Sequence, residues 1–478
     1  MKNIGILLAA GKGTRMKSSQ PKVLHEVAGQ AMCCYPFEIL EALCDKIVIV
    51  VGYQAELVEK TICAWIEKNY SSRKSKDLIS KRVLFVKQKQ QRGTGHAVKT
   101  VLDHSRVAKI SQKNNVMILN GDLPLLKKST LSRSWNQFKK TKALDIVCLS
   151  SVVDDPKGLG RVVRDDDNKF LKIVECKDAS KKQKEICEIN TGVYFAQYQY
   201  LAHSIKNLKS TNKQNEFYVT DLLQKNKSEA FLIEDACAFL GVNDQWQLAQ
   251  VNKIAQQNIV KYWAQEKGVY FDDPQTCYVD KSVQLSSGVR VGPQVKLLGQ
   301  TKISSQAVLE GNHHIKNSKI GKGTQLLWGT VVDDSIVGDS CRIGPYARLR
   351  PGSRLKNKVK LGNFVETKNA LLKEGAKASH LSYLGDCSIG KNTNISCGVI
   401  FCNYDGIRKH FSTLGDDVFV GSDSQIISPV SIGKGSFIAS GSSVEENIPA
   451  DTLCIPKREF INKKSYVKKW MKKKRKQK

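Results

Sequence analysis

The 478 residues are 41% hydrophobic and 25% charged, the balance of a globular chain, which excludes disorder throughout. No apolar run approaches the ~18 residues that span a bilayer, and roughly 100–200 residues per domain gives two to four domains. The net charge is +31; residues 457–478 supply +11 of it, with twelve Lys or Arg against Glu459, and the remainder, spread along the body, exerts only a general pull on anions.

The opening stretch MKNIGILLAA imitates a short signal peptide. It runs straight into GKGTRM, however, which puts basic residues where a cleavage site would follow, so a buried strand is expected. Short β-rich bursts recur at residues 47–51, 83–86, 116–119 and 146–149, with helical stretches between them. They predict an α/β domain over 1–240 with a mainly parallel sheet. Leu248, Val251, Ala255, Ile259 and Tyr262 then recur at steps of three and four, the spacing of a helical linker over 241–268.

From 269 to 456 the rhythm changes to six. Val283, Val289 and Val295 set it, and Ile336 rejoins it before a slip to Ile343 and Leu349. Gly follows an aliphatic residue repeatedly, as in Val291-Gly292, Ile320-Gly321 and Ile389-Gly390. A period of six makes no helix stripe. It fits coils of three short strands, about eighteen residues each, in a hexapeptide-repeat parallel β-helix of roughly ten coils. A β-sandwich would instead alternate polar and apolar residues between hairpin turns. The repeat breaks between Asn403 and Leu414, where a polar, aromatic and basic segment is placed to carry binding chemistry.

Fourteen cysteines without any C-x-x-C form no metal framework and no disulfide scaffold, which fits free thiols in a reducing cytoplasm. His313-His314 invites a zinc site, but neighbours on a strand point in opposite directions and zinc needs three convergent ligands.

The first expected strand ends in Leu8-Ala9-Ala10-Gly11-Lys12-Gly13-Thr14-Arg15-Met16. Small residues there let backbone N–H groups approach a phosphate, and Arg15 and Lys22 add charge. It is not a Walker motif, because Gly13 follows Lys12. LAAGKGTRM followed by PKVL resembles the signature of sugar-nucleotide pyrophosphorylases, nucleotidyltransferases with a Rossmann-like domain. Gln88, Gly93 and Thr94 resemble the uracil-reading segment, and Asn120-Gly121-Asp122 the metal-binding strand end. Gly158-Leu159-Gly160-Arg161, Glu175, Asn190-Thr191-Gly192 and Asn215-Glu216 resemble the sugar-pocket segments. The resemblance implies that Leu8, Ala9, Ala10, Gly11, Gly13, Arg15 and Lys22 cradle UTP. It makes Gly160, Glu175 and Asn190 contacts to N-acetylglucosamine 1-phosphate, and Asp122 and Asn243 ligands of Mg²⁺. Arg92 departs from the family pattern, which has a small or apolar residue beside the base-reading loop.

In the second half, Arg350-Pro351-Gly352, the segment 363–368, Ser379-His380-Leu381-Ser382-Tyr383 and Cys402-Asn403-Tyr404-Asp405-Gly406 form a second pattern. It resembles the acetyltransferase half of the bacterial bifunctional N-acetylglucosamine-1-phosphate uridyltransferase and glucosamine-1-phosphate acetyltransferase, in the same order from Ile4 to about Lys457. That family has a left-handed β-helix. The resemblance makes His380 the general base on the amine of glucosamine 1-phosphate, with Glu366 nearby. Arg350 and Lys368 hold the sugar phosphate, and Tyr383 and Asn394 shape the pocket. Asn403, Tyr404 and Lys409 meet substrate or thioester, and Ser422, Ser440 and Lys457 take acetyl-CoA. Lys457 replaces an Arg and Ser440 an Ala of the family pattern; Lys lacks the bidentate fork. The family further implies a cytoplasmic homotrimer supplying cell-wall and lipopolysaccharide precursors. No specific nucleic acid is expected, and the tail over 457–478 suits a weak contact with an anionic membrane.

Overall fold

A computed structural model describes residues 3–108, 114–210, 212–223, 227–457 and 462–475; of the expected basic tail, 458–461 and 476–478 lie outside these. The chain divides into two compact units, Met1–Asn258 and Ile259–Lys478.

In the first unit, seven strands form the main path of a sheet. Their order is Ser228–Leu232, Ile146–Val152, Glu188–Gln197, Asn115–Asn120, Asn3–Ala9, Lys46–Val51, Val83–Lys87. Asn3–Ala9 lies parallel to both neighbours. Alternate side chains serve two cores: Leu7, Ala9, Ile47 and Ile49 on one face, Ile4, Ile6, Val48 and Val50 on the other. Six of these strands share one direction, as the mainly parallel expectation has it, and Glu188–Gln197 makes the sheet mixed by running antiparallel to both of its neighbours. That strand escapes the sequence reading because it contains Asn190-Thr191-Gly192, which reads as a turn. The ladder absorbs these residues with a register shift between Asn190 and Tyr194. The antiparallel pair Arg161–Arg164 and Phe170–Val174 branches from it.

The helix Gln245–Lys267 carries the expected apolar positions in part. Val251 and Ala255 are buried, whereas Tyr262 is exposed and Val260 packs in the core of the second unit with Trp263 against it.

The second unit is a left-handed parallel β-helix, with eleven strands on one face among the described residues. Strands inside the stack pair with the coil before and the coil after, usually seventeen or eighteen residues away, as Gln284 with Lys302 and Gln325 with Arg342. Inward side chains of successive coils stack into one apolar core, including Val283, Val289, Val295, Ile343 and Leu349. Ile336 does not belong to it: it is 44% exposed, and Val337 is the inward residue. Val337, Ile343, Leu349, Leu355 and Leu361 therefore keep a strict step of six, with no slip at that place. In a two-residue rung only one side chain faces inward, and two adjacent aliphatic residues leave the sequence ambiguous about which.

Candidate active sites

In the first unit, a cavity of about 430 Å³ is lined by Leu8, Ala10, Gly11, Gly13, Lys22, Gln88, Gly93, Thr94 and Asp122, together with Gln91, Asn120 and Glu216. That volume suits a small-molecule ligand. Strand alternation turns Ala9 away into the core. Gly13 adopts φ +65°, which starts the single turn Thr14–Met16; a Cβ there would sit 2.5 Å from the Cβ of Lys22. The Lys22 ammonium donates to the Asp122 carboxylate and reaches the Asn243 side-chain oxygen at 3.3 Å. Arg15 donates to the same oxygen at 2.9 Å. Asp122 ends up here because Gly121 N–H bonds the Leu8 carbonyl at 2.9 Å, and Asn243 because Val242 N–H bonds the Asp122 carbonyl at 3.2 Å. Three segments distant in sequence thus converge on one cation.

Gln88 donates to the Gly93 carbonyl at 3.2 Å and lies 2.9 Å from His96 Nδ1. Gln91, which carried no sequence signal, donates to the Ala10 carbonyl at 2.8 Å and ties the loop after Gln88 to the glycine turn. Arg92 stacks over the Phe217 ring at 5.1 Å. Its carbonyl accepts from Phe217 N–H at 2.8 Å.

Glu175 and Asp178 line a second cavity of about 490 Å³ with Tyr218 and Asp221. Thr94 Oγ1 accepts from Val219 N–H at 3.2 Å, and the next residue, Thr220, donates to Glu175 at 3.2 Å. One step of chain therefore links the two cavities. Gly160 lets the backbone approach Glu175, since a Cβ would lie 3.3 Å from the carboxylate. Its carbonyl accepts Asn190 N–H at 2.9 Å, and Asn190 Nδ2 donates to the Tyr194 hydroxyl at 2.7 Å. Burial raises the Glu175 carboxyl above its usual range, and the Thr220 hydrogen bond only partly opposes this.

In the β-helix, Arg348, Glu366 and Tyr383 stand in register on successive coils of one face, as do Lys368 and Gly385. Asp386 is the hub of a polar cluster there. It accepts from Asn369 at 2.8 Å, from Lys368 at 3.3 Å and from Asn403. Burial alone would raise its carboxyl; the bonds from Asn369, Asn403 and Lys368 outweigh that and hold it below the ordinary range. Lys409 lies against Lys368, whose hydrogen bond and charge lower the Lys409 ammonium, while Lys368 is raised. Neither Asp386 nor Asn369 carried a stated role in the sequence reading; the crowding of Lys and Asn at coil spacing is the signal that could have found them.

The register also explains the inserted segment. Ala370 pairs Cys387, seventeen residues on, but Cys387 pairs Ser412, twenty-five on. The extra chain is pinned by the Tyr404–Lys409 bridge and by Asp405, which accepts from His410 at 2.6 Å; that contact and the Arg408 and Ile407 N–H groups lower its carboxyl to about 2. Asn403 is buried at its root, while Tyr404 is 59% exposed.

His380 lies around the prism corner from this cluster, at the end of Lys377–His380, and Leu381 with φ +42° turns the chain between them. It is exposed, and its Nδ1 lies 2.9 Å from Asn363 Oδ1 of the preceding coil. Glu366 is engaged elsewhere, with Arg350 at 2.8 Å and Arg348 at 3.7 Å. Asn394 stands one coil beyond Lys377 and contacts Ser396 at 3.4 Å. Ser422 and Ser440 are exposed on neighbouring coils, and Lys457 is exposed beyond the last strand, Leu453–Cys454. His313 faces the core, 2% exposed, while His314 is outward, and no group of three or more His, Cys, Asp or Glu suited to a metal occurs among the described residues.

The sequence matches the MobA-like NTP transferase domain over residues 5–159 and the bacterial transferase hexapeptide (six repeats) over 411–446. It is 40% identical over 467 residues to the bifunctional protein GlmU of Geotalea uraniireducens, covering 96% of this chain and 98% of that one. The bifunctional protein GlmU of Alkaliphilus metalliredigens is 38% identical, with 98% of each chain covered, and that of Clostridioides difficile 36%, with 97% of each.

Proposed function

The chain belongs to the GlmU family of bifunctional proteins, and from that membership we propose how its residues divide the two reactions. It is a transferase that acetylates glucosamine 1-phosphate and uridylylates the product to UDP-N-acetylglucosamine.

Uridylyl transfer is assigned to the first unit. The sugar phosphate oxygen attacks the α-phosphorus of UTP, and pyrophosphate leaves from the opposite side. Both reactants are anions, so charge neutralisation by Arg15 and Lys22 and positioning by the glycine turn lower the barrier without a protein nucleophile. Gln88, Gly93 and Thr94 take the base; Gly160, Glu175 and Asn190 take the sugar. Asp122 and Asn243 fit Mg²⁺: their oxygens converge on one cation, the Lys22 ammonium, and one carboxylate with one amide leaves room for phosphates and waters. When bound, the ion would offset the triphosphate charge. The reading rests above all on that convergence on Lys22, which lines the glycine-rich cavity together with Asp122.

Acetyl transfer is assigned to the β-helix. The amine of glucosamine 1-phosphate attacks the thioester carbonyl of acetyl-CoA; its proton passes to His380 Nε2, and the thiol of CoA departs. The Asn363 bond to Nδ1 supports this role, because it orients the ring and leaves Nε2 free of a partner on that side. Arg350 and Lys368 hold the phosphate, with Lys409 beside them and Tyr383 and Asn394 at the sugar. Asn403, Tyr404, Ser422, Ser440 and Lys457 are assigned to acetyl-CoA. A homotrimer fits the exposed ring stack of Tyr346 and Phe364, 5.7 Å apart, on the prism corner that leads to Leu381. The cytoplasm fits the free cysteines, and no helix among the described residues is long and apolar enough to cross a membrane. The basic tail is assigned to an anionic membrane surface, with no specific nucleic acid.

Single-site variants test the division. His380→Ala should lose CoA release from acetyl-CoA and glucosamine 1-phosphate while UTP turnover with the acetylated sugar persists, and Asp122→Asn should do the reverse. Loss of both activities from either substitution in a folded protein overturns two independent sites.

A further inference from the structure

The last described element is a ten-residue helix, Tyr466–Arg475. At 100° per residue, Tyr466, Trp470, Val467 and Met471 fall in order across an arc of about 140°. All four are exposed, at 57%, 45%, 68% and 45%. Lys468, Lys469, Lys472, Lys473 and Arg475 occupy the rest of the circumference. Lys474 falls inside the apolar arc, with its ammonium over the Trp470 ring at 4.5 Å in a cation–π contact, so one cation sits beside the apolar residues. Residues 462–475 hold eight Lys or Arg and no acid, and no ion pair to the seven lysines from Lys463 to Lys474 occurs among the described residues. A helix this short is marginal in water by itself, so its stability calls for a surface that covers the apolar arc and neutralises the cations.

We infer that this helix lies flat on an anionic phospholipid bilayer, its Trp470–Met471 side in the headgroup boundary and its lysines against lipid phosphates. Charge complementarity makes the partner anionic. The apolar arc selects a bilayer over RNA, which would accept the lysines but leave Val467 and Met471 without a partner. The contact extends the role given to the tail above and uses none of the residues assigned to either transfer reaction.

The test is co-sedimentation of the full-length protein with vesicles of phosphatidylcholine alone or with 30% phosphatidylglycerol (a chosen composition, roughly that of a strongly anionic leaflet). A Trp470→Ser, Met471→Ser double variant keeps every charge, and heparin binding serves as a polyanion control. The native protein should pellet with the anionic vesicles only, and less as salt rises. The double variant should partition about tenfold less or weaker, with unchanged heparin binding and unchanged turnover at both sites. Equal pelleting of native protein and double variant, or no pelleting of the native protein at low salt, overturns the inference. So does tighter binding to a short RNA duplex than to vesicles, which would make the tail a polyanion binder. Failure of either transfer assay in the native protein would bear on the enzymatic assignment and not on the tail.

Discussion

Lys22 and Asp122 meet across a hundred residues of sequence, and the ammonium that joins them also reaches Asn243. The geometry of the site assigned to the nucleotide follows from that contact, since whatever displaces Lys22 also disturbs the oxygens assigned to the metal.

Gly13→Ala should therefore act through Lys22. Its φ of +65° costs an L-residue roughly 1–2 kcal/mol, and the new Cβ would press on the Lys22 Cβ. Uridylyl kcat/KM is expected to fall by about tenfold or more, with acetyl transfer intact. Steady-state pyrophosphate and CoA release measured on one preparation check this; equal loss of both would point to general unfolding.

Glu175→Gln should separate binding from stability. Burial disfavours the charged carboxyl, so its folded pKa lies above the unfolded one and the cost is felt as pH rises through it. The glutamine variant should melt higher than the native protein at pH 7, with the difference shrinking as pH falls into the carboxyl range. Its KM for N-acetylglucosamine 1-phosphate should rise by roughly tenfold. A lower melting temperature at pH 7 would count against a charge held there at a cost.

Asp386→Asn should weaken acetyl transfer alone. The new amide would face the donors of Asn403, Asn369 and Lys368, and a buried donor left unpaired costs about 1–3 kcal/mol. KM for glucosamine 1-phosphate or acetyl-CoA is expected to rise with UTP turnover unchanged. Unchanged acetyltransferase kinetics would remove Asp386 as the positioning group.

His313 gives the β-helix an acid limit. Burial lowers its pKa to about 4, against hydrogen bonds with Thr330 and Leu326 that oppose the shift. Above pH ~6.5 both folded and unfolded forms are neutral and nothing is lost. Between ~6.5 and about 4 the unfolded chain takes a proton that the folded one refuses, and stability declines by on the order of 3 kcal/mol. His313→Leu should flatten that part of the melting-temperature profile, whatever it does to absolute stability. A profile as steep as the native one would assign the acid sensitivity elsewhere.

Much of this architecture was legible because its periods are strong. A step of six with Gly after an aliphatic residue has one economical solution, and Val283, Val289 and Val295 sit in the core as that rhythm requires. The glycine turn after the first strand pointed to a phosphate-approaching backbone, and the resemblance carried by LAAGKGTRM and PKVL, not the turn alone, supplied the nucleotide. What remained hidden depended on tertiary context. Ile336 and Val337 are equally apolar, and only the coil decides which turns inward. Glu188–Gln197 is a strand despite its turn-forming residues because neighbours on both sides supply the ladder. Gln91 and Thr220 are ordinary polar residues until the fold places Ala10 and Glu175 beside them. Asn363 opens the segment 363–368 of the second pattern, but its contact with His380 exists only because two coils lie in register.

That register has a mechanical corollary. Each rung of the prism leans on its immediate neighbours alone, so thermal damage can travel like an opening zipper instead of striking everywhere together. The final rung, Leu453–Cys454, has a neighbour on one side only, and Ser440 and Ser422 belong to the next two. Fraying from that edge would erase the positions assigned to acetyl-CoA while the rungs around His380 still stand, so the acyl-donor assignment predicts loss of donor binding before loss of sugar binding.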